Sequence, residues 1–549
     1  MSELHKEIDS LFSNWDRDDS PGCILAIVKD REIVYSKGYG MANLEHRVPI
    51  TADSVFRTGS VSKQFTAMCI ALLVERRDIS LDDSVRKYVP ELPSYADKVT
   101  IRHMVHHISG IRSYTSLLSI SMLSLDTKDA DMITKDMSIE MVARQKTLEF
   151  KPGEKYEYSN SNYFLLGLIV ERVSGKSLRR FAEDEIFKPL GMKNTHYHDD
   201  CKMVVPNRAY GYAPKEGDGF EVSMSNCEVV GDGCVFSSAN DLLHWDSNFY
   251  DNKLPGGKRL IETMETSGIL NSGDEYPYAF GLFKSFHKGL PLIDHGGAWA
   301  GFRAYMGRFP EQRFSIILLA NISNLPVGKL GKQVADLYLE PYYDEVFRSS
   351  QPEETKPLKS VKVSQKELDE IAGLYLTPNG MLLEVSRVED NLSIVVSGWN
   401  ESRTTYIPVS KTRFHPDDGM FTSIIEVVRV SEKKPLRLMS HKPDGTTSNW
   451  EPIPKTLSKR EVRDFAGIYY SRELDSTYIL EKSESGTLVC RTVPSFSGNH
   501  DVHKLRKDEV VFLGIQLKFS RNKQGMVNGF DLFSSGGVNG VRFRKVKKS

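Results

Sequence analysis

A serine and a lysine one helical turn apart, Ser60 and Lys63, constrain this chain more than any other feature. They sit in the run Val55-Phe56-Arg57-Thr58-Gly59-Ser60-Val61-Ser62-Lys63-Gln64-Phe65-Thr66. The residues after Gly59 read as a helix with Phe65, Met68, Leu72 and Leu73 on one face, which has to be packed into a core. Ser60 falls in its first turn, and Lys63 lies on the same side. That spacing brings an amine to a hydroxyl, and a serine becomes a useful nucleophile only with a base in hydrogen-bond reach. The start of a helix also offers N–H groups and a positive dipole end where an oxyanion can form. Ser62 is a rival by residue type, but its position two residues on turns it away from the Ser60 side.

Two further elements follow in chain order. Tyr158-Ser159-Asn160 precedes the apolar run Tyr163-Phe164-Leu165-Leu166-Gly167, and His295-Gly296-Gly297 precedes a strand-like hairpin. Singly, Tyr158 reads as a core aromatic and His295 as a turn residue; three elements in this order read as one catalytic set. Together they resemble the serine β-lactamase and penicillin-binding superfamily, nearest class C β-lactamases and their D-aminopeptidase, DD-peptidase and carboxylesterase relatives. The resemblance spans residues 8–340 and extends to Pro152-Gly153, Gly231-Asp232-Gly233, Ser237-Ser238-Ala239-Asn240-Asp241-Leu242 and Tyr278-Ala279-Phe280-Gly281-Leu282. Where many relatives carry Lys-Thr-Gly this chain has His295-Gly296-Gly297, a substitution familiar among D-aminopeptidases and some esterases, and one that argues against efficient β-lactamase activity.

The resemblance implies acyl transfer to water through a serine ester. Ser60 attacks the carbonyl, Lys63 and Tyr158 take up its proton as a coupled pair, and Asn160 bonds the lysine amine or the substrate amide. The backbone N–H groups of Ser60 and Ala298 form the oxyanion site, Gly296 and Gly297 let substrate approach a strand edge-on, and His295 orients Tyr158 and contacts substrate.

At 549 residues the chain needs two to four domains. A hydrophobic content of 40% with 26% charged residues describes a soluble globular protein, and a net charge of −1 gives no reason to expect nucleic acid or an anionic membrane as partner. Met1-Ser2-Glu3-Leu4-His5-Lys6-Glu7 lacks a secretory apolar region, so a cytoplasmic location is expected. The six cysteines form no C-x-x-C pair and read as buried thiols, and His103, His106 and His107 read as capping or packing residues; no metal and no cofactor is expected.

Gly22 to Asp30 and Glu32 to Gly38 read as a hairpin, Val61 to Gly191 as mostly helical (including Ser80 to Val89, Ile101 to Ile108 and Ile139 to Gln145), and Phe302 to Phe309 and Arg313 to Ala320 as a second hairpin before a helix Leu325 to Tyr338. The expected fold is α+β, an antiparallel sheet flanked by helices with a helical insert, over residues 1–348. A polar, Pro-bearing linker occupies 349–362. Beyond it Leu368-Asp369-Glu370-Ile371-Ala372-Gly373-Leu374-Tyr375 is echoed 94 residues later by Val462-Arg463-Asp464-Phe465-Ala466-Gly467-Ile468-Tyr469. A repeat of that length with many short strands reads as two antiparallel β-barrels, 363–455 and 456–549, lipocalin-like in the layout that three-domain D-aminopeptidases share. In that layout a loop of the second barrel closes the pocket, and Asp501, in the stretch 493–503, is its candidate carboxylate for a substrate ammonium. The expected function is a D-aminopeptidase acting on a small peptide or amide, with a carboxylesterase or weak β-lactam hydrolase as alternative and an idle binding protein as the reading from another class. The assembly state is left open, with a homodimer allowed for.

Overall fold

The computed structural model describes residues 3–122, 133–215, 217–343, 360–397, 402–416, 423–429, 436–442, 446–454, 456–493, 499–534 and 537–546. By internal contacts the chain forms two units, residues 1–114 with 130–351, and residues 115–129 with 352–549. The elements used below are α1 (Glu3–Phe12), β1 (Cys23–Lys29), β2 (Glu32–Tyr39), α2 (Lys63–Glu75), α3 (Tyr114–Met122), α4 (Asn160–Ser174), β3 (Phe283–His287), β4 (Leu290–Trp299), β5 (Phe302–Phe309), β6 (Phe314–Ala320) and α5 (Val327–Leu339).

The first unit is built on an antiparallel sheet of order β3-β4-β5-β6-β1-β2. Two adjacent interior strands are apolar runs, Cys-Ile-Leu-Ala-Ile-Val in β1 and Phe-Ser-Ile-Ile-Leu-Leu-Ala in β6, because both of their faces are buried. Their register pairs Cys23 with Ala320 and Lys29 with Phe314, so the first and last parts of the unit share one sheet. Strand β2, an edge, alternates exposed and half-buried residues, and the β1–β2 turn places Asp30 and Arg31 at φ 51° and 72°, the left-handed pair a tight hairpin requires. Leu25, Ile27, Ile316 and Leu318 pack with Ile8 and Phe12 of α1 and Leu330 and Val334 of α5 in one apolar core.

The helical insert is present, with one difference from the sequence expectation. Ser80 to Val89 does not form a helix; only a 3₁₀ turn, Val85–Lys87, appears. The Asp83 carboxylate accepts the Ser80 N–H at 2.9 Å and the Ser84 hydroxyl accepts the Arg86 N–H, and such local bonds draw the backbone away from helix. His103 acts in a capping box with Thr100 at the start of the helix Ile101–Val105.

The second unit holds a closed eight-stranded antiparallel barrel between Gly373 and Ile453 and a nine-stranded antiparallel sheet between Gly467 and Lys545. The repeat is carried down to single bonds. Ser364 and Glu367, and equally Ser458 and Glu461, form capping boxes on the helices Gln365–Ile371 and Lys459–Phe465. Tyr375 Oη then donates to Ile371 O and Tyr469 Oη to Phe465 O, both at 2.7 Å. Residues 115–122 of α3 group with this unit. Tyr478 Oη, Ser476 Oγ and Thr492 Oγ1 donate to the carbonyls of Ile120, Ser121 and Met122 at 2.6, 2.5 and 3.0 Å, satisfying acceptors that a helix end leaves open. Most of the expected linker lies outside the described residues. Among the described residues no helix is long and apolar enough to cross a membrane.

Candidate active site

Ser60 lies in a 3₁₀ turn, Gly59–Ser62, that runs directly into α2, so the serine precedes the helix proper by one turn. Gly59 sits at φ 53°, and a Cβ there would lie 2.6 Å from Ala298 N. A Cβ on Gly297 would lie 2.0 Å from Thr58 O and 3.1 Å from Ser60 N. Glycine is therefore demanded on both sides of one close approach, which sets the Ser60 turn against β4 with the Ser60 and Ala298 backbones facing each other. Ser62 is fully buried, and its hydroxyl accepts the Val235 N–H at 2.9 Å, so its position is structural.

Lys63 is fully buried, and its Nζ reaches Ser60 Oγ at 3.1 Å, Asn160 Oδ1 at 2.8 Å and Asp232 O at 2.6 Å. Asn160 is the first residue of α4, which is how two sequence-distant motifs meet. Burial pulls the Lys63 pKa down to about 8, with the Asp232 charge opposing the shift. Two of the three partners, an amide oxygen and a carbonyl, can only accept. A neutral amine therefore spends both N–H bonds on them and turns its lone pair to Ser60.

Lys63 Nζ stands over the Tyr158 ring, 4.9 Å from its centre. Burial drives the Tyr158 phenol far up, offset in part by the neighbouring Ser60 hydroxyl, so it stays protonated. Its buried Oη finds no hydrogen-bond partner among the described residues. The Tyr158 ring packs 4.3 Å from that of His107, whose Nδ1 accepts from Ser159 N (3.2 Å) and Asn162 Nδ2 (3.1 Å). His107 thus holds the Tyr-Ser-Asn motif in place as a neutral imidazole, burial keeping its pKa well below the usual value.

His295, expected to orient Tyr158 and contact substrate, has its hydrogen bonds elsewhere. Its Nε2 accepts from Tyr278 Oη at 3.1 Å and its Nδ1 donates to Gly296 O at 2.6 Å, while its ring centre stands 6.2 Å from that of Tyr158. Burial pulls its pKa to about 3, so it is neutral, and the Gly296 carbonyl fixes it as the Nδ1–H tautomer. Asp501 belongs to the second unit, exposed in the short strand His500–Asp501 opposite Val489; residues 494–498 of its loop lie outside the described residues.

Ser60, Asn160, Asp232, Gly233, Ala298 and Trp299 line one cleft. Asp232 is the residue that sequence reasoning passed over. It is 6% exposed, its Oδ2 accepts from Tyr114 Oη at 3.0 Å, and its buried Oδ1 has no partner among the described residues. Burial raises its pKa, against the pull of Lys63. The sequence shows it only within the stretch Gly231-Asp232-Gly233, and the fold brings that stretch to Lys63.

A hydroxyl, a desolvated amine and two facing backbone segments on a sheet edge describe a covalent serine hydrolase, and residues 9–339 match the family model for beta-lactamase. The chain belongs to that family, as a serine hydrolase. It is 26% identical over 545 residues to the D-aminopeptidase of Brucella anthropi, covering 96% of each chain. It is 28% identical over 433 residues to penicillin-binding protein 4* of Bacillus subtilis (strain 168), covering 74% of this chain and 91% of that protein. Among solved structures, the octameric penicillin-binding protein homologue from Pyrococcus abyssi superposes with a TM-score of 0.56 at 25% identity, over 82% of this chain and 99% of that one.

Proposed function

We propose that this protein is a D-aminopeptidase, cleaving the amide bond after a free N-terminal D-residue through an acyl-Ser60 intermediate. Neutral Lys63 takes the Ser60 proton as Oγ attacks the carbonyl; the oxyanion lies between the N–H groups of Ser60 and Ala298, and the Tyr158 hydroxyl relays a proton to the leaving amine. Asn160 and the Asp232 carbonyl hold the amine so that its lone pair faces the serine. Water then attacks the ester with Lys63 again as base.

The observation that carries the free-amine assignment is the orphaned Asp232 Oδ1 in the cleft beside Ser60. A buried carboxylate oxygen left unsatisfied costs on the order of 1–3 kcal/mol, and a substrate ammonium satisfies both its charge and its lone pair. This gives Asp232, rather than Asp501, the anchoring role. The full-length similarity to a D-aminopeptidase supports the same reading. The six free thiols suit a reducing compartment, so the proposal includes a cytoplasmic location; it also includes self-association, in a homodimer or larger, which the octameric relative supports.

The test is a hydrolysis panel. D-amino-acid p-nitroanilides should be cleaved well ahead of their L-forms, their N-acetylated forms, short acyl esters and nitrocefin. Equal or faster turnover of the esters, or of the N-acetylated amides, would overturn the assignment in favour of an esterase.

A further inference from the structure

Arg57 ends the short strand Phe56–Arg57, is 4% exposed and lines the Ser60 cleft. Among the described residues no carboxylate pairs with it: its Nη2 donates to Cys234 Sγ and its Nε finds no acceptor. A guanidinium removed from water is costly unless a counter-charge or good acceptors meet it. What meets it here is the face of the Trp299 ring, 5.3 Å from the guanidinium carbon, and sulfur. Cys227 and Cys234 both line the cleft beside Arg57. The Cys234 thiol donates to Cys227 O at 3.6 Å, and Cys234 holds a left-handed φ of 66°. The Cys234 thiol and the Arg57 charge together pull Cys227 toward the thiolate, while Cys234 is held as the thiol.

We propose that Cys227 and Cys234 form a hydroperoxide-reactive pair in the wall of the cleft, whose closure to a disulfide switches the Ser60 centre off. The Cys227 thiolate attacks one oxygen of hydrogen peroxide, the O–O bond breaks, and hydroxide leaves and takes a proton to become water. The product is a Cys227 sulfenic acid. The Cys234 sulfur then attacks the Cys227 sulfur, the S–O bond breaks, and the hydroxyl leaves as water with the Cys234 proton. The pair is oxidised by two electrons and the peroxide reduced to two waters. At 4% and 2% exposure the two thiols are reached only by a molecule about the size of water, which peroxide is.

The ring so closed contains Asp232. An S–S bond of about 2.05 Å is far shorter than a thiol contact, so closure drags the segment whose carbonyl holds Lys63 Nζ at 2.6 Å. The loss of activity rests on the Lys63 and Asp232 roles proposed above; formation of the bond does not.

The full-length protein is treated with hydrogen peroxide, its remaining thiols are blocked, and it is digested. The tryptic peptide 216–253, which contains both cysteines, should appear lighter by two hydrogens, and after further cleavage at Glu228 or Asp232 its fragments should stay joined until reduced. Ester hydrolysis should fall roughly tenfold or more, as small displacements in a catalytic centre do, and return with dithiothreitol. In Cys234→Ser, compared with its own untreated rate, the sulfenic acid should be trapped on Cys227 by dimedone with no internal link. Absence of the link, a link without loss of rate, or an equal loss in Cys227→Ser would each overturn the proposal. A link that forms in a protein with no Ser60-dependent activity would instead overturn the catalytic reading alone.

Discussion

Replacing Asp232 by Asn separates substrate anchoring from the rest of the site. The Tyr114 bond to the side chain and the backbone carbonyl that holds Lys63 both survive, since an amide oxygen still accepts and the carbonyl is main chain. What is lost is one negative charge in the cleft. An ammonium about 4 Å from that carboxylate gains about 4 kcal/mol at an effective dielectric of about 20, and deleting one partner of a desolvated pair typically costs about 2–5 kcal/mol. The lower part of that range, about 2–4 kcal/mol, predicts a fall in kcat/KM of roughly 30- to 700-fold for free-amine D-anilides. Esters should change far less. A second readout follows from Lys63, whose pKa of about 8 is held up by Asp232. The active form is the neutral amine, so kcat/KM on a simple ester should rise with pH through about 8 in the native enzyme. Without the Asp232 charge the protonated amine is disfavoured, and the rise should move to lower pH. Asp501→Asn, measured beside it, should leave both readouts unchanged. An equal loss on amides and esters with an unmoved pH profile would show Asp232 to be structural, and a selective loss in Asp501→Asn would move the anchor to the second unit.

Ser60→Ala should lower kcat by roughly 10³ or more and abolish fluorophosphonate labelling of the peptide containing residue 60; labelling that persists at Ser62 would sink the assignment. Lys63→Ala and Tyr158→Phe should each cost nearly as much as the two together, and a double variant equal to the product of the single losses would refute a shared proton path. Gly297→Ala puts a methyl 2.0 Å from Thr58 O, so the Ser60 turn must separate from β4; kcat should fall about 10²–10³-fold, and an unchanged rate would remove Ala298 N–H from the oxyanion site.

The parts of this site that were legible from sequence are those whose geometry is local. Ser60 and Lys63 are one turn apart and had to meet wherever the helix formed. Strands β1 and β6 carry apolar runs that admit little else, and the repeat shows as an eight-residue echo 94 residues apart. The unread parts depend on contacts across long stretches of chain. Asp232 reaches Lys63 from 169 residues away and Tyr114 from 118, and nothing near it announces either bond. His107 read as packing because its work, accepting from Ser159 N, spans 52 residues. The bond between His295 and Tyr278 is of the same kind, a contact between two motifs that no spacing rule addresses.

The end of α3 has a consequence for how this gene could be shortened. Tyr114 counts with the catalytic unit and Thr115 with the C-terminal one, and three carbonyls of the helix are held by hydroxyls contributed more than 350 residues later. Ending the reading frame at the polar segment near residue 350 would thus cut through a folding unit rather than between two. The orphaned helix end, and Tyr114 on its first turn, would lose their support together. Anyone seeking a minimal catalytic fragment would have to redesign residues 115–132 as well, and a natural homologue lacking the tail should carry a different sequence there.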